Sequence, residues 1–152
     1  MELMHASCVV FQEAGLLLRG AAGVGKSDLV LRLIDRHGAQ LVADDQTCIE
    51  REDGQVFASA PEKLKGWLQV TNIGFVQRPV CARTPLMAVI DLVPADQRAA
   101  LPLIAPDETT KILSQTLPRV KLCAFDVSAP EKISALLEVL RQGGLDTLPD
   151  FT

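Results

Sequence analysis

The sequence predicts an α/β fold, a single domain whose mixed, largely β central sheet is flanked by helices. Three observations carry this expectation. Short apolar runs bounded by turn residues recur along the chain, the longest over residues 85–93, as strands of a buried sheet would read. Two segments only, following Ser27 and Ser128, repeat their apolar residues at helical spacing. The chain has 152 residues, of which 48% are apolar and 22% charged, enough for one domain with a real core over residues 1–152 and too short for two.

The first helix is preceded by the most informative stretch, Gly20-Ala21-Ala22-Gly23-Val24-Gly25-Lys26-Ser27, which fits G-x-x-x-x-G-K-[S/T] at every fixed position. Glycines there let the backbone turn tightly and bring N–H groups against phosphate oxygens. Lys26 supplies a compact positive charge for the β- and γ-phosphates. Ser27 supplies a hydroxyl ligand for a magnesium ion. The context suits the motif, since the apolar run Leu16-Leu17-Leu18 leads into it and Leu29, Val30, Leu33 and Ile34 leave it on one helical face, with Gly38 as the stop. A helix starting there aims its free N–H groups and positive dipole end at a bound anion. The fold is therefore expected to be a P-loop-containing domain that binds a nucleotide through Gly20 to Ser27.

The remaining elements follow in order. Residues 4–11 read as one strand, closed by a turn at residues 12–15 and forming a hairpin with residues 16–19. Residues 40–43 read as a short strand ending on Asp44 and Asp45, and an acidic pair at the carboxyl end of a strand in an open α/β sheet can reach a γ-phosphate and its metal. Residues 47–51 and 55–60 flank Glu52-Asp53-Gly54, a hairpin signal that makes Asp53 a turn residue. Residues 60–67 read as a loop or short helical turn, and residues 68–76 as a strand interrupted by Asn72 and Gly74. Trp67 reads as core or interface. Asp91, after four apolar residues in the strand over 85–93, is a second candidate for the magnesium-side carboxylate. Residues 94–119 read as loops, a short helix near 95–101 and one or two edge strands, with Arg119 and Lys121 solvated. Ser128-Ala129-Pro130-Glu131 has the pattern of a capping box opening the closing helix, which ends at Gly143-Gly144.

Composition excludes several classes. The net charge of −4 and the absence of dense Lys/Arg clusters argue against a nucleic-acid partner. No run of eighteen apolar residues is present to span a membrane, and the N-terminus lacks the pattern of a secretory signal, so a cytoplasmic protein is expected. Cys8, Cys48, Cys81 and Cys123 contain no C-x-x-C pair and are expected to be buried, reduced thiols.

Taken together, the loop, its helix and Leu41-Val42-Ala43-Asp44-Asp45 resemble the catalytic domain of HPr kinase/phosphorylase, the bacterial enzyme that phosphorylates a serine of the phosphocarrier HPr. The resemblance runs from about Met4 to Val93, with a weaker echo from Ser128 to Leu140. In size the chain resembles the short α-proteobacterial type, which has the kinase domain without the N-terminal domain of the longer enzymes. The resemblance implies ATP and Mg²⁺ as cofactors, an HPr-type phosphocarrier as partner and a homo-oligomer. It implies that Asp44 is the general base, that Lys26 holds phosphate, and that His5, on the strand before the loop, is an accessory catalytic residue. It also implies a metal site of Ser27, Asp45 and Gln69. Gln69 stands where the family's signature, resembling Glu-x-Arg-Gly-x-Gly, has its metal-binding Glu, and Thr71 and Asn72 replace the Arg and first Gly. An amide oxygen attracts Mg²⁺ more weakly than a carboxylate. The alternative function is accordingly a nucleotide-binding regulatory module with impaired catalysis.

Overall fold

In the computed structural model, residues 1–144 are described. A nine-stranded mixed sheet carries helices on one face. Its strands are β1 (Glu2–Met4), β2 (Ser7–Phe11), β3 (Ala14–Arg19), β4 (Gln40–Ala43), β5 (Thr47–Glu52), β6 (Gln55–Ser59), β9 (Thr84–Leu92), β10 (Glu108–Ile112) and β11 (Gln115–Leu122). The remaining two, β7 (Trp67–Val70) and β8 (Gly74–Gln77), form a separate hairpin. The helices are α1 (Lys26–His37) and α2 (Ala129–Gln142).

The longest strand, β9, organises the sheet. Its first residues pair antiparallel with β6, while along its length it runs parallel to β3 and, at its far end, parallel to β11. A strand covered on both faces reads as a near-continuous apolar run, and Leu86, Ala88, Val89 and Ile90 are all buried. The parallel strands β3, β9 and β11 thus end together, and the loops leaving β3 and β11 share one edge of the sheet. On the helical face, Leu16, Leu18 and Ile90 pack with Leu29, Leu33, Ile133 and Leu137. Leu17, Val89, Ile49, Val56 and Leu117 form a second core on the opposite face, where the sheet curls.

Local chemistry explains the elements. In α1 the buried residues Lys26, Leu29, Val30, Leu33 and Ile34 fall at the spacing of one helical face, Asp28 sits in the first turn and Arg36 and His37 in the last. The helix stops where Gly38 takes φ 73° and, with Ala39, caps the carbonyls of Ile34 and Leu33. The β5–β6 hairpin turns through Asp53 and Gly54, at φ 54° and 79°. More unusual is the β2–β3 turn, where Gln12 and Glu13 lie at φ 50° and 68° without glycine. Its strain is offset by α2, whose Ser134 accepts 2.9 Å away from the Gln12 amide and whose Arg141 donates to the Gln12 carbonyl.

Four expectations are corrected or refined. The strand foreseen over residues 4–11 breaks at His5: β1 pairs with β5, whereas β2 lies between β3 and β4, so the chain must change neighbours there. Of the one or two edge strands expected, β10 is one, while β11 lies inside it between β9 and β10, with Val120 and Leu117 in the two cores. Ser128 precedes α2 but makes no side-chain cap; Asp126 instead accepts from the Ala129 N–H at 3.0 Å. Trp67, expected in the core or at an interface, is 39% exposed on the small hairpin, so the core half of that expectation is corrected. Cys8 and Cys123 are buried free thiols, as expected, while Cys48 and Cys81 are half-buried. Burial, and secondarily Cys81, pushes the Cys8 thiol far above its usual value, leaving it protonated and inert.

The contact between β3 and β9 is tight enough to test. A Cβ on Gly15 would lie 2.1 Å from the carbonyl oxygen of Pro85, a backbone atom that cannot yield cheaply. Gly15→Ala should therefore lower the unfolding free energy by about 3 kcal/mol in urea titration, the upper end of overpacking costs. An unchanged midpoint would show that the strands do not approach so closely.

Candidate functional site

The site forms where β3 enters α1 through residues 20–25. Lys26 is 6% exposed, and its ammonium donates to the carbonyls of Gly20 at 2.6 Å and Ala21 at 3.3 Å. The loop is thereby braced from beneath by the charge that its motif requires. Gly23 and Gly25 take φ 80° and 102°, which a side chain would strain. The N–H groups of Gly23, Gly25, Lys26 and Ser27 meet no backbone acceptor among the described residues. Free donors around a positive helix end and an ammonium make a concavity suited to an oxyanion.

Asp44, at the end of β4, closes the site on the other side. Only 9% exposed, it accepts from Ser27 Oγ at 2.9 Å and Ser7 Oγ at 3.2 Å on one oxygen, and from the Gln69 N–H at 3.0 Å on the other. A carboxylate this buried needs such donors, and three elements, β2, α1 and β7, are fastened to the end of β4 by supplying them. Ser7 also accepts from the Asp45 N–H at 3.0 Å. Asp45 sits at φ 64°, a conformation aspartate tolerates better than most residues, and its exposed carboxylate lies 2.7 Å from His5 Nε2. His5, Ser27, Lys26, Asp44, Asp45 and Gln69 are thus brought into one chain of contacts with the loop. Gln69 enters through its backbone N–H, and its residue is exposed.

Asp91 is placed elsewhere. It lies on the face occupied by Leu17, Val89 and Leu117, the side away from α1, with its carboxylate bound bidentately by Arg19 at 2.8 and 3.0 Å and by Arg119 at 3.3 Å. Arg119, expected to be solvated, is instead drawn inward between Asp91 and Glu108, and Glu108 first, then Asp91, raises its already high pKa further. Its Nε is buried without a partner. Lys121 is exposed, as expected.

A family model described as HPr Serine kinase C-terminal domain matches residues 1–143. The chain belongs to this family. It is 30% identical over 146 residues to the HPr kinase/phosphorylase of Lactobacillus acidophilus, covering 90% of this chain and 43% of that protein. With the Bordetella pertussis HPr kinase/phosphorylase it shares 32% identity over 154 residues, 90% of this chain and 48% of the relative. The chain thus spans about half the length of the curated relatives it matches. The solved structure of the Hpr(Ser) kinase/phosphatase from Coxiella burnetii superposes with a TM-score of 0.82 at 30% identity, covering 93% of this chain and 97% of that one. Within this HPr serine kinase family the expected α/β class holds, and the likeness extends well beyond the span foreseen from the motifs.

Sequence reading missed three participants. Ser7 was one polar residue in an apolar strand, and its inward position was the available signal. Arg19 and Asp91 lie too far apart in sequence for their pairing to show. Nor did any local pattern mark the loop at Cys123 to Ser128, where Arg32 of α1 donates to the carbonyls of Ala124 and Asp126, the latter at 3.1 Å.

Two predictions follow from these ion pairs. Asp91→Ala leaves two facing guanidinium groups and should cost about 1–2 kcal/mol of unfolding free energy; this is less than the 3–5 kcal/mol expected for breaking a fully buried pair, because the groups retain partial exposure. No loss in a denaturant titration would show the network to be energetically idle. Separately, Lys132 at 2.9 Å, then Arg98, holds the Asp126 carboxyl below the usual carboxylate range against the opposing effect of burial. A depressed folded pKa contributes stability that is complete above the ordinary carboxylate value and lost as pH falls through the folded one. The stability of Asp126→Asn should therefore depend less steeply on pH below about 4 than that of the parent. Parallel curves for the two proteins would sink this assignment.

Proposed function

We propose that this chain is the catalytic domain of an ATP-dependent serine kinase acting on an HPr-type phosphocarrier protein, with a phosphorylase reaction at the same site. The observation carrying the reading is the convergence of Ser27 and Asp44 beside a loop whose N–H groups and Lys26 suit phosphate. In this reading Gly20, Ala21, Ala22, Gly23, Val24 and Gly25 wrap the phosphates of ATP, and Lys26 neutralises their charge. The hydroxyl of Ser27 and the carboxylate of Asp45 are hard oxygen donors that fit Mg²⁺; Gln69 would add its amide oxygen only by turning its side chain inward, since it meets the site through its backbone N–H. When bound, the metal supplies charge neutralisation on the transferred phosphoryl group.

Asp44 is the general base. As the serine oxygen of the carrier bonds to the γ-phosphorus, the bond to the β–γ bridging oxygen breaks, ADP departs with that electron pair, and the serine proton passes to Asp44. In the phosphorylase direction an oxygen of inorganic phosphate bonds to the phosphorus of phosphoserine as the bond to the serine oxygen breaks, pyrophosphate forms, and Asp44 passes the proton it takes from the attacking phosphate to the departing serine oxygen. Its three donors hold the carboxylate in one place, so its contribution lies in position. His5, paired with Asp45, orients that carboxylate beside the phosphates. The same reading places the protein in the cytoplasm as a homo-oligomer.

A second reading is favoured by Gln69, which reaches the site through its backbone alone: a regulatory module that binds nucleotide without turnover. Transfer of labelled γ-phosphate from Mg-ATP to a purified HPr-type carrier separates the two. The parent should form phosphoserine, and Asp44→Asn should slow it about 10²–10⁴-fold, the usual worth of a general base. Bound nucleotide with no phosphoserine would favour the module, and full activity in Asp44→Asn would remove Asp44 as the base.

A further inference from the structure

The loop joining β11 to α2 lies against the glycine-rich loop. A Cβ on Gly25 would stand 2.9 Å from the Ala124 methyl carbon and 3.0 Å from Phe125 Cζ, so the two loops touch where α1 begins. Cys123 and Ala124 are buried, yet Phe125 remains 57% exposed. The backbone carrying the ring is fixed from three directions. Arg32 holds the carbonyls of Ala124 and Asp126, while Lys132 and Arg98 hold the Asp126 carboxylate. Asp126 accepts also from the N–H that opens α2.

Single exposed apolar side chains are common and need no explanation. Ile73 and Leu103, at 78% and 105% exposure, are of that ordinary kind. Phe125 differs in place and in support. Its ring edge abuts the residue immediately before Lys26 and Ser27, and Arg32, which anchors its loop, belongs to the same helix as those two residues. Since β3 and β11 both run parallel to β9, their following loops lie side by side at the carboxyl edge, where open α/β sheets bind ligands. Phosphates in one loop would carry whatever is attached to them across the other.

We propose that Phe125 is the stacking platform for the base of a nucleotide whose phosphates occupy residues 20–27, and so the residue that distinguishes a nucleoside triphosphate from an inorganic polyphosphate. The inference rests on reading that loop as a phosphate site. A planar base has a π-face to lay against a ring already held in position, and stacking of this kind is worth about 5–150-fold in affinity by alanine substitution. The phosphate chain itself makes no use of the ring.

The test is calorimetric titration of the parent and Phe125→Ala with Mg-ATP and with Mg-tripolyphosphate, which keeps the phosphate chain and lacks the nucleoside. The Kd for ATP should rise about 5–150-fold in Phe125→Ala while that for tripolyphosphate stays constant, and Phe125→Tyr should restore ATP affinity. Equal weakening of both ligands would make Phe125 a support of the loop, and no weakening of either would make it a bystander; each result overturns the proposal. If the parent binds neither ligand, the phosphate-site reading fails and takes this inference with it. If the parent and Phe125→Ala bind tripolyphosphate alike but Phe125→Ala loses ATP, the platform stands whether or not a carrier protein is ever phosphorylated.

Discussion

Burying the carboxylate of Asp44 is the constraint around which the site is built. A charge removed from water must be given hydrogen-bond donors, and here they come from β2, α1 and β7. The same requirement fixes the small β7–β8 hairpin, which is not part of the main sheet, against the end of β4. A polar group that folding must satisfy thus does the positioning that a reaction would need. The glycine-rich loop is treated similarly, because Lys26 draws the first carbonyls of the loop toward its ammonium.

The ion network on the opposite face has a different task. Arg19 is the last residue of β3 and stands next to Gly20, so its bidentate bond to Asp91 fixes the exit of the chain into the loop. Arg119 extends the link to β11, and Glu108 to β10. Four strands are held in register at the sheet edge from which the functional loops depart. The apolar cores set which strands are neighbours, and this network sets how their ends align.

Much of this was legible in the residues. The loop, α1 and its stop at Gly38 were readable because each depends on chemistry within a few positions: glycine dihedrals, a helical apolar face, a left-handed cap. The β5–β6 hairpin was readable from Asp53 and Gly54 for the same reason. What sequence concealed was pairing at a distance. Nothing local announces that His5 must break a strand, since the break serves two different neighbours, β5 and β3. Asp91 fits the pattern of a magnesium-side carboxylate equally well whether it faces a ligand or two arginines, and only the pleat decides. Ser128 has the letters of a cap, yet the carbonyl of Asp126 takes that place.

The β2–β3 turn has a consequence for how the molecule assembles. Gln12 and Glu13 adopt dihedrals that local preference opposes, and the side-chain hydrogen bonds that hold Gln12 come from Ser134 and Arg141, more than a hundred residues away in sequence. The strand that delivers the chain to the glycine-rich loop pairs locally with β2, but the turn before it gains its outer support late. A nascent chain can form the first helix and its hairpins as they emerge, but this turn lacks the hydrogen bonds from Ser134 and Arg141 until α2 has been made and docked. Contacts of such sequence separation slow folding and lengthen the time during which apolar strands stand open. The geometry of a site encoded in the first third of the chain is in this sense completed by its last helix.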